Sequence, residues 1–320
     1  MSQVASLDLV SDSIRLVEQR MLDQANQQHP ELQAALQHLV VSGGKRIRPA
    51  ITLLSGEMLG ASQDRLITLA AAIEMLHTAT LVHDDLIDGS LLRRGIPTLN
   101  AQWTPGATVL TGDFIFAKAA RLAAETDSVS VMRMFAETLA IIVNGEITQM
   151  FSSRGVTDRE NYYQRIYAKT ASMFELATGA PALLSPVGEA EFQTIRRFGY
   201  EIGMAFQILD DVLDFTGEQA TVGKPVASDL RQGLITLPAI YFLEANPDHK
   251  DMQAVIQGRS NDGHIERIIP AIRSSGAIEQ SLEEARQFVL RGMKYLADKP
   301  DNRSRRALED IAFYIIDRHS

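Results

Sequence analysis

The chain has 320 residues, of which 45% are hydrophobic and 22% are charged, with 21 glycines and 11 prolines. This composition excludes the disordered and fibrous classes and suits a protein with a substantial core. The net charge of −9 argues against a nucleic-acid partner, and the absence of cysteine excludes disulfides, thiolate chemistry and cysteine-ligated zinc.

The amino-terminal stretch MSQVASLDLVSDS has neither a basic start nor an apolar signal core. No uninterrupted apolar segment approaches the roughly 20 residues that are needed to cross a bilayer. We therefore expect a cytoplasmic protein without stable membrane insertion.

Helical spacing of apolar residues predicts an amphipathic helix from about Ser6 to Gln27 and a second helix from Pro30 to Val41. The segment GGKRIRP, residues 43–49, ends the second helix, and its proline is expected to open the next one. Three cations and the amides of a helix start predict an anion cradle here, with a solvated turn as the alternative. These cations are Lys45, Arg46 and Arg48.

A long helix is predicted from Asp64 to Asp88, apolar almost all round and therefore central in the fold. Asp84 and Asp88 are four residues apart, so their carboxylates project from one face and repel each other. A divalent cation shared with an anionic ligand relieves this repulsion, and such all-oxygen ligation suits Mg²⁺. Arg93 and Arg94 would contact the same phosphates. A solvated acidic helix end followed by a basic turn is the alternative.

Two histidines lie on the same predicted helix. His77 precedes Asp84 by seven residues and faces broadly the same side, so it is either a core residue or a ligand contact. His83 is interpreted as structural. No histidine spacing typical of a zinc site is present, so a site of that kind is not expected.

Further helices are predicted over residues 107–125 and 129–150 and, after a capped turn at 157–161, over residues 162–180. The last of these carries Lys169 and Thr170 on an otherwise apolar segment. A buried lysine there needs a partner, whereas a surface lysine does not, and both interpretations remain open.

The predicted helix from Glu189 to Phe215 carries Gln207 and a second acidic cluster. This cluster comprises Asp210, Asp211 and Asp214, with the spacing of the first. Two such clusters on mostly buried helices are hard to explain as solubility, and together they predict facing helices that hold metal ions and a diphosphate between them. The loop that follows carries Lys224 and could close over a substrate.

Residues 237–319 alternate helical patterns with short polar breaks, and no useful length of strand-like alternation occurs. No shift in composition marks a domain boundary. We therefore expect one all-α domain over residues 1–320.

Several motifs occur in the order found in trans-isoprenyl diphosphate synthases, the polyprenyl synthetases. They are GGKRIRP, HTATLVHDDLID with LRRG, TGDFIFAKA, GE followed by Gln149, KTA, DDVLD, GKPVASDL and TLP. Over about Leu36 to Pro238 the chain resembles this family, most closely its long-chain bacterial members. The resemblance implies the isoprenoid synthase fold, a single bundle of ten or more helices around a deep central cavity, usually as a homodimer.

The resemblance also implies roles for individual residues. Metal ligation falls to Asp84, Asp88 and Asp210, with Asp85, Asp211 and Asp214 assisting directly or through water; three Mg²⁺ ions per site are expected, with Mn²⁺ as a substitute. The allylic diphosphate would be held by the metals with Arg93, Lys169, Thr170, Gln207 and Lys224. Isopentenyl diphosphate would lie on Lys45, Arg48, His77 and Arg94 without its own metal. One departure is Leu234, where many relatives have lysine, and this should weaken the hold on the allylic diphosphate or leave closure to Lys224.

The implied reaction condenses isopentenyl diphosphate head-to-tail (1′-4) with a dimethylallyl, geranyl, farnesyl or geranylgeranyl diphosphate primer. Metal ions and cations neutralise the departing diphosphate, and the allylic cation is attacked by the isopentenyl double bond. The resemblance makes the released diphosphate the base for the final proton. Asp84, Asp85, Asp88, Asp210, Lys169 and Lys224 are the expected catalytic residues.

Product length should depend on what blocks the cavity below the first cluster. One helical turn descends about 5.4 Å, roughly an isoprene unit. The positions below Asp84 are Thr80 and Ala79, then Leu76; short-chain relatives carry bulky aromatics at the first two. Small residues there favour products of about C30 to C40, with C20 to C25 as the alternative. Which of Met132, Met134 and Phe135 could form a floor stays open.

Two other classes are weighed. A class I terpene cyclase shares the all-α cavity and the first cluster, but the second DDVLD and GGKRIRP speak against it. A non-catalytic subunit of a heteromeric synthase usually lacks the aspartates, and all six are present here.

Overall fold

The computed structural model describes residues 5–151, 158–217 and 226–317, and these are almost entirely helical. The prediction of an all-α fold is confirmed, and strands within these ranges are limited to one antiparallel pair of two-residue strands. The described residues group into two compact units. The first contains residues up to Ala140 with Met173–Gly199 and Met293–Ala312, and the second contains Ile141–Ser172, Tyr200–Gly292 and the residues from Phe313 onward. That the chain is one domain remains a prediction.

The elements are numbered in chain order. The first part of the chain forms α1 (Ala5–Asp8), α2 (Ser11–Leu22), a 3₁₀ turn (Asp23–Ala25), α3 (Pro30–Val41), α4 (Ile47–Leu59), α5 (Gln63–Ile87), β1 (Leu92–Arg93), β2 (Ile96–Pro97), α6 (Leu99–Gln102), α7 (Pro105–Ala124) and α8 (Val129–Phe151).

The rest of the chain forms α9 (Arg159–Ile166), a π turn (Tyr167–Ala171), α10 (Ser172–Leu183), α11 (Glu189–Thr216), α12 (Ser228–Arg231), α13 (Leu237–Ala245), α14 (Lys250–Ile256), α15 (Asp262–Ser274), α16 (Ala277–Leu296) and α17 (Arg303–Asp317).

The first unit is organised around α5, which packs against α2, α4 and α7. Because its apolar residues are distributed all round the helix, it can bury every face. Among the described residues it is the one helix that is long and apolar enough to cross a membrane, but 72% of its most apolar window is buried within the protein. We therefore interpret α5 as the core helix of the unit, as its sequence predicted.

Two helix boundaries near the amino terminus differ from the prediction. The expected helix from Ser6 to Gln27 is broken between α1 and α2 and ends in the 3₁₀ turn. Helix α4 begins at Ile47, two residues before Pro49, because Arg46 adopts a left-handed conformation (φ 51°) and acts as its N-cap. Pro49 is tolerated there because the first amides of a helix have no intrahelical acceptor.

A continuous helix was predicted over residues 162–180, of which those up to Ser172 belong to the second unit and the rest to the first. Asp158 caps α9 by accepting a hydrogen bond from the Asn161 amide (2.8 Å), which confirms the capped turn, although Thr157 lies outside the described residues. The helix is then interrupted by the π turn Tyr167–Ala171, which includes Lys169 and Thr170. Such a turn adds a residue to the helix and changes the direction of the side chains around it.

Candidate active site

The first acidic motif forms the last turn of α5. Asp84 is partly exposed and Asp88, the C-cap, is exposed, so the two carboxylates that were predicted to share a face are both accessible. Asp85 points elsewhere and is only 7% exposed. The pair that could receive a cation is therefore Asp84 and Asp88.

Asp85 is paired with Arg93 of β1. Arg93 donates from Nε to Asp85 Oδ2 (3.1 Å) and from Nη2 to Asp85 Oδ1 (2.8 Å), in the fork geometry that guanidinium and carboxylate favour. Asp85 was predicted to assist the metal and Arg93 to contact a diphosphate. In this structure the two residues hold each other, so Asp85 fixes the strand that follows the motif.

The two strands place Arg94 in a tight turn. Arg94 (φ 54°) and Gly95 (φ 77°) both have positive φ, the pattern of a type I′ hairpin turn. The Arg94 guanidinium packs on Gly44, where a Cβ would lie 2.5 Å from Nη2. The hairpin and the GGKRIRP segment therefore meet, although they are 50 residues apart in the chain.

The predicted isopentenyl diphosphate residues, Lys45, Arg48, His77 and Arg94, will be called the basic cluster. Within it, Arg48 Nη1 lies 3.1 Å from His77 Nε2, and the Arg48 guanidinium lies 5.2 Å from the centre of the Phe174 ring. Burial, followed by the charge of Arg48 and the neighbouring arginines, holds the pKa of His77 well below its usual range. His77 is therefore neutral and accepts a hydrogen bond from Arg48. Within the protein the partner of His77 is thus a cation of the cluster, and a contact of His77 with a ligand stays a prediction.

Arg46 differs from the other cations of GGKRIRP. Its Nε lies 2.8 Å from Glu18, its Nη1 lies 2.8 Å from Glu74, and its Nη2 donates to the Val40 carbonyl at 2.6 Å. The expectation that Arg46 helps to cradle an anion is wrong in this structure, because its donors are used by protein acceptors.

The second acidic motif divides in the same way. Asp210 is exposed, whereas Asp211 is only 3% exposed. Asp211 accepts hydrogen bonds from the Tyr162 hydroxyl (2.7 Å) and from Gln207 Nε2 (2.8 Å), and Gln207 in turn accepts from Thr170 (2.6 Å). Burial, and next the negative charge of Asp229, raise the pKa of Asp211. The predicted residues Thr170, Gln207 and Asp211 thus form one hydrogen-bonded chain.

Asp214, in the last turn of α11, is hydrogen-bonded to the backbone at the start of α12. Its carboxylate accepts from the amides of Ser228 (3.0 Å) and Asp229 (3.2 Å), at the start of α12. Burial and the charge of Asp229 raise the pKa of Asp214 to about 6. Asp211 and Asp214, which were expected to assist the metal, are thus both used in bonds within the protein, and Asp210 is the accessible carboxylate.

Lys169 lies in the π turn with its side chain 41% exposed, and its Nζ is 3.3 Å from Glu146 Oε1. Lys169 is exposed, as the surface interpretation expected, and it also has a carboxylate partner. Lys224 lies outside the described residues. Leu234 is partly buried, and its amide donates to the Asp229 carbonyl (2.9 Å); the effect of having leucine there remains a prediction.

The predicted chain-length positions lie on α5 below Asp84. Ala79 and Leu76 are fully buried, and Thr80 is partly exposed and donates to the His77 carbonyl (2.7 Å). Of the three candidates on α8, Phe135 is buried and the two methionines are partly exposed. Their role in product length stays a prediction.

Sequence reasoning missed Tyr162, Glu146, Glu18 and Glu74. Tyr162 carries no signal, because a buried tyrosine looks like any core aromatic until its acceptor is known. Glu74 did carry one. A glutamate in the middle of an almost wholly apolar helix requires a buried partner.

The metal-binding capacity can be judged from the donor set. Across residues 5–151, 158–217 and 226–317, no group of three His, Asp or Glu side chains could hold a metal ion alone. A pair of accessible carboxylates four residues apart nevertheless suits Mg²⁺, which takes one or two carboxylates together with water and phosphate oxygens. The residues therefore fit a metal that a phosphorylated ligand brings or shares.

Comparison with known proteins agrees with this chemistry. The family model for polyprenyl synthetases matches residues 29–272. Heptaprenyl diphosphate synthase component 2 of Bacillus subtilis is 34% identical over 307 residues, 96% of this chain and 88% of that protein. An all-trans-nonaprenyl-diphosphate synthase of Rhodobacter capsulatus, described as geranyl-diphosphate specific, is 37% identical over 88% of this chain and 87% of that protein. A polyprenyl synthase from Caulobacter crescentus, solved with calcium and isoprenyl diphosphate, superposes with a TM-score of 0.93 at 33% identity, covering 100% of this chain and 98% of the other.

Proposed function

We infer the function from the premise that this chain belongs to the polyprenyl synthetase family. It is a prenyltransferase. We propose that it condenses isopentenyl diphosphate head-to-tail (1′-4) with an allylic diphosphate primer to make a long trans-polyprenyl diphosphate.

One observation carries the proposal: α5 carries two accessible carboxylates at its end and, two turns earlier, a histidine that contacts an arginine. Asp84 and Asp88 at its end can share a cation with a diphosphate, and His77, seven residues earlier, contacts Arg48 of the basic cluster. Seven residues of α-helix span about 10.5 Å. One helix therefore offers a metal-dependent site and a cationic site at a separation that suits two diphosphate substrates.

The accessible carboxylates Asp84, Asp88 and Asp210 would hold Mg²⁺, with three ions per active site and Mn²⁺ as a substitute. The calcium and isoprenyl diphosphate in the Caulobacter structure support a divalent cation. When bound, Mg²⁺ would neutralise the charge that develops on the departing diphosphate. Asp85 and Asp211 would assist the metal indirectly, since each accepts a hydrogen bond from a partner within the protein.

The basic cluster would hold isopentenyl diphosphate without a metal. Arg48 and Arg94 offer guanidinium donors suited to phosphate oxygens, and Lys45 is exposed beside them. His77 is neutral, so it orients Arg48 without adding a charge. The allylic diphosphate would be held by Arg93, Lys169, Thr170, Gln207 and Lys224; Arg93 would have to exchange or share its contact with Asp85.

The proposed product has about 30 to 40 carbons. Two features support a long product: the small residues Ala79 and Thr80 below Asp84, and relatives named for products of seven and nine prenyl units, the first within this range and the second longer than it. A product of 20 or 25 carbons is not favoured by these relatives. The primer, which could be dimethylallyl, geranyl, farnesyl or geranylgeranyl diphosphate, is to be found by assay.

We further propose a cytoplasmic homodimer. The support for the homodimer is a surface of α8 on which apolar side chains recur at helical spacing and remain 44–84% exposed: Val143, Ile147, Met150 and Phe151. Such a stripe is typical of a helix that packs against another surface. Sedimentation of the purified protein would give the mass of the assembly, and a monomer at micromolar concentration would contradict the proposal.

The experiment that tests the function uses the purified protein alone with Mg²⁺, isopentenyl diphosphate and each primer, and identifies products by mass. Elongated allylic diphosphates are expected. A cyclised hydrocarbon would indicate a terpene cyclase. No product would indicate a subunit that needs a partner, and the Bacillus relative is itself named as component 2.

Chelation with EDTA should abolish elongation, and Mg²⁺ should restore it. The Asp84→Asn variant should lose activity by about 100-fold or more, because it removes one of the carboxylates that would hold Mg²⁺.

A further inference from the structure

The backbone of the GGKRIRP segment is held by Arg46. The backbone of Arg46 is in the left-handed region (φ 51°), which costs a non-glycine residue about 1–2 kcal/mol. Its side chain is only 10% exposed and contacts Glu18, Glu74 and the Val40 carbonyl. The largely buried guanidinium donates three hydrogen bonds, and these oppose the cost of the strained conformation.

Of the two glutamates, Glu74 is the buried one. The Glu74 side chain is 7% exposed, against 35% for Glu18. It precedes His77 by three residues on α5, so both side chains lie on one face. That face therefore contacts the start of α4 twice, through Glu74–Arg46 and through His77–Arg48.

The glycines of the segment show how closely these contacts define its path. A Cβ on Gly43 would lie 2.2 Å from Arg46 Nη2, and one on Gly44 would lie 2.5 Å from Arg94 Nη2. Lys45 thus lies between Gly44, which packs on Arg94, and Arg46, which is bonded to Glu74. A displacement of Arg46 would move Lys45 and Arg48 together.

We propose that Glu74 is a positioning residue for isopentenyl diphosphate: it fixes Arg46 and thereby sets the spacing of Lys45, Arg48 and Arg94. This inference rests on the proposed function. Glu74 does not touch the substrate; it acts through Arg46. Its loss should weaken the binding of isopentenyl diphosphate and leave the binding of the allylic primer nearly unchanged.

The test compares Glu74→Gln with wild type in steady-state kinetics. The KM for isopentenyl diphosphate should rise about 10-fold or more, while kcat and the KM for the primer stay within about twofold. Arg46→Lys is the second variant, since lysine keeps the charge but cannot form the three-way contact, and it should give the same shift if Glu74→Gln does not fold. Binding of isopentenyl diphosphate by calorimetry without Mg²⁺ should weaken in parallel.

Glu201→Gln is the matched control. Glu201 is 8% exposed and pairs with an arginine, Arg291, at 3.0 Å, but it lies in the second unit. This variant should lose thermal stability without a change in the KM for isopentenyl diphosphate. If wild type elongates and Glu74→Gln and Arg46→Lys show unchanged constants, or if Glu201→Gln shows the same shift, the positioning role is wrong and the proposed function stands. If wild type makes no prenyl product, the proposed function and this inference fail together.

Discussion

Replacing Tyr162 by phenylalanine removes one hydroxyl from the buried support of the second acidic motif. Tyr162 is 1% exposed and its hydroxyl donates to Asp211 Oδ2 at 2.7 Å, while Gln207 Nε2 donates to Asp211 Oδ1 at 2.8 Å. Phenylalanine fills the same space, so the change deletes a hydrogen bond and leaves no large cavity. The effect should therefore report on the ionised state of Asp211.

The magnitude depends on pH. A hydrogen bond to a charged group contributes about 1.5–3 kcal/mol and one between neutral groups about 0.5–1.5 kcal/mol. Burial and the charge of Asp229 raise the pKa of Asp211, and the bond from Tyr162 opposes that rise. A carboxyl whose pKa is raised in the folded state stabilises the fold fully below its unfolded pKa of about 3.9, and this contribution is lost as pH rises through the folded pKa. The variant raises that pKa further, so it should lower the free energy of unfolding by about 1 kcal/mol at pH 5 and by about 2–3 kcal/mol at pH 9.

Urea unfolding in EDTA at the two pH values measures this difference. Loss of a residue that orients a metal-binding group typically weakens metal affinity or activity by about 10–100-fold, so the Mg²⁺ concentration for half-maximal elongation should rise by that factor. Tyr163→Phe is the control, because its hydroxyl contacts Glu284 instead; the Mg²⁺ dependence should stay at the wild-type value. An equal loss of stability at both pH values, or an unchanged Mg²⁺ requirement in Tyr162→Phe, would refute the role given to this bond.

Three further predictions follow from contacts in the first unit. Ala79→Phe should shorten the products, read by chromatography, and an unchanged product ladder would show that Ala79 is not part of the wall. Gly112→Ala should lower the free energy of unfolding by about 1–3 kcal/mol, because its Cβ would lie 2.1 Å from His83 Nε2; adding His83→Ala should recover most of that loss, and strictly additive losses would disprove the clash. Asp85→Asn should reduce stability by about 1–3 kcal/mol in urea, because Arg93 loses its charged acceptor, and an unchanged midpoint would show that the pair contributes little.

Most of the helices could be predicted from hydrophobic periodicity. Helices α3 and α5 agree with their predicted limits to within one residue, because Pro30 and the two glycines after Ser42 mark one helix and a long apolar run marks the other. The early start of α4 could not be predicted, since it depends on Arg46 adopting a left-handed conformation that only its acid partners stabilise. The π turn at Tyr167–Ala171 could not be predicted either, because hydrophobic periodicity of 3.6 residues does not reveal a local change in helix pitch.

The site could be predicted in its residue types but not in their pairing. The spacing of Asp84 and Asp88 fixed their shared face, and burial confirms that Asp85 lies apart from them. Spacing could not show that Arg93 and Asp85 hold each other, because the i+8 contact depends on the hairpin that turns the chain back. Nor could it show that Asp211 is held by Tyr162, since that contact joins residues 49 positions apart.

The apolar character of α5 has a consequence for biosynthesis. Its 25 residues leave the ribosome well before α7, its main neighbour, because about 37 residues separate the ends of the two helices at Ile87 and Ala124. At about 5–20 residues per second the interval lasts about 2–7 s. During this time the side of the apolar helix α5 that packs against α7 stays exposed on the nascent polypeptide, and chaperones or targeting factors could capture it. Fragments truncated before α7 should accordingly aggregate or sediment with membranes, whereas fragments that include α7 should not.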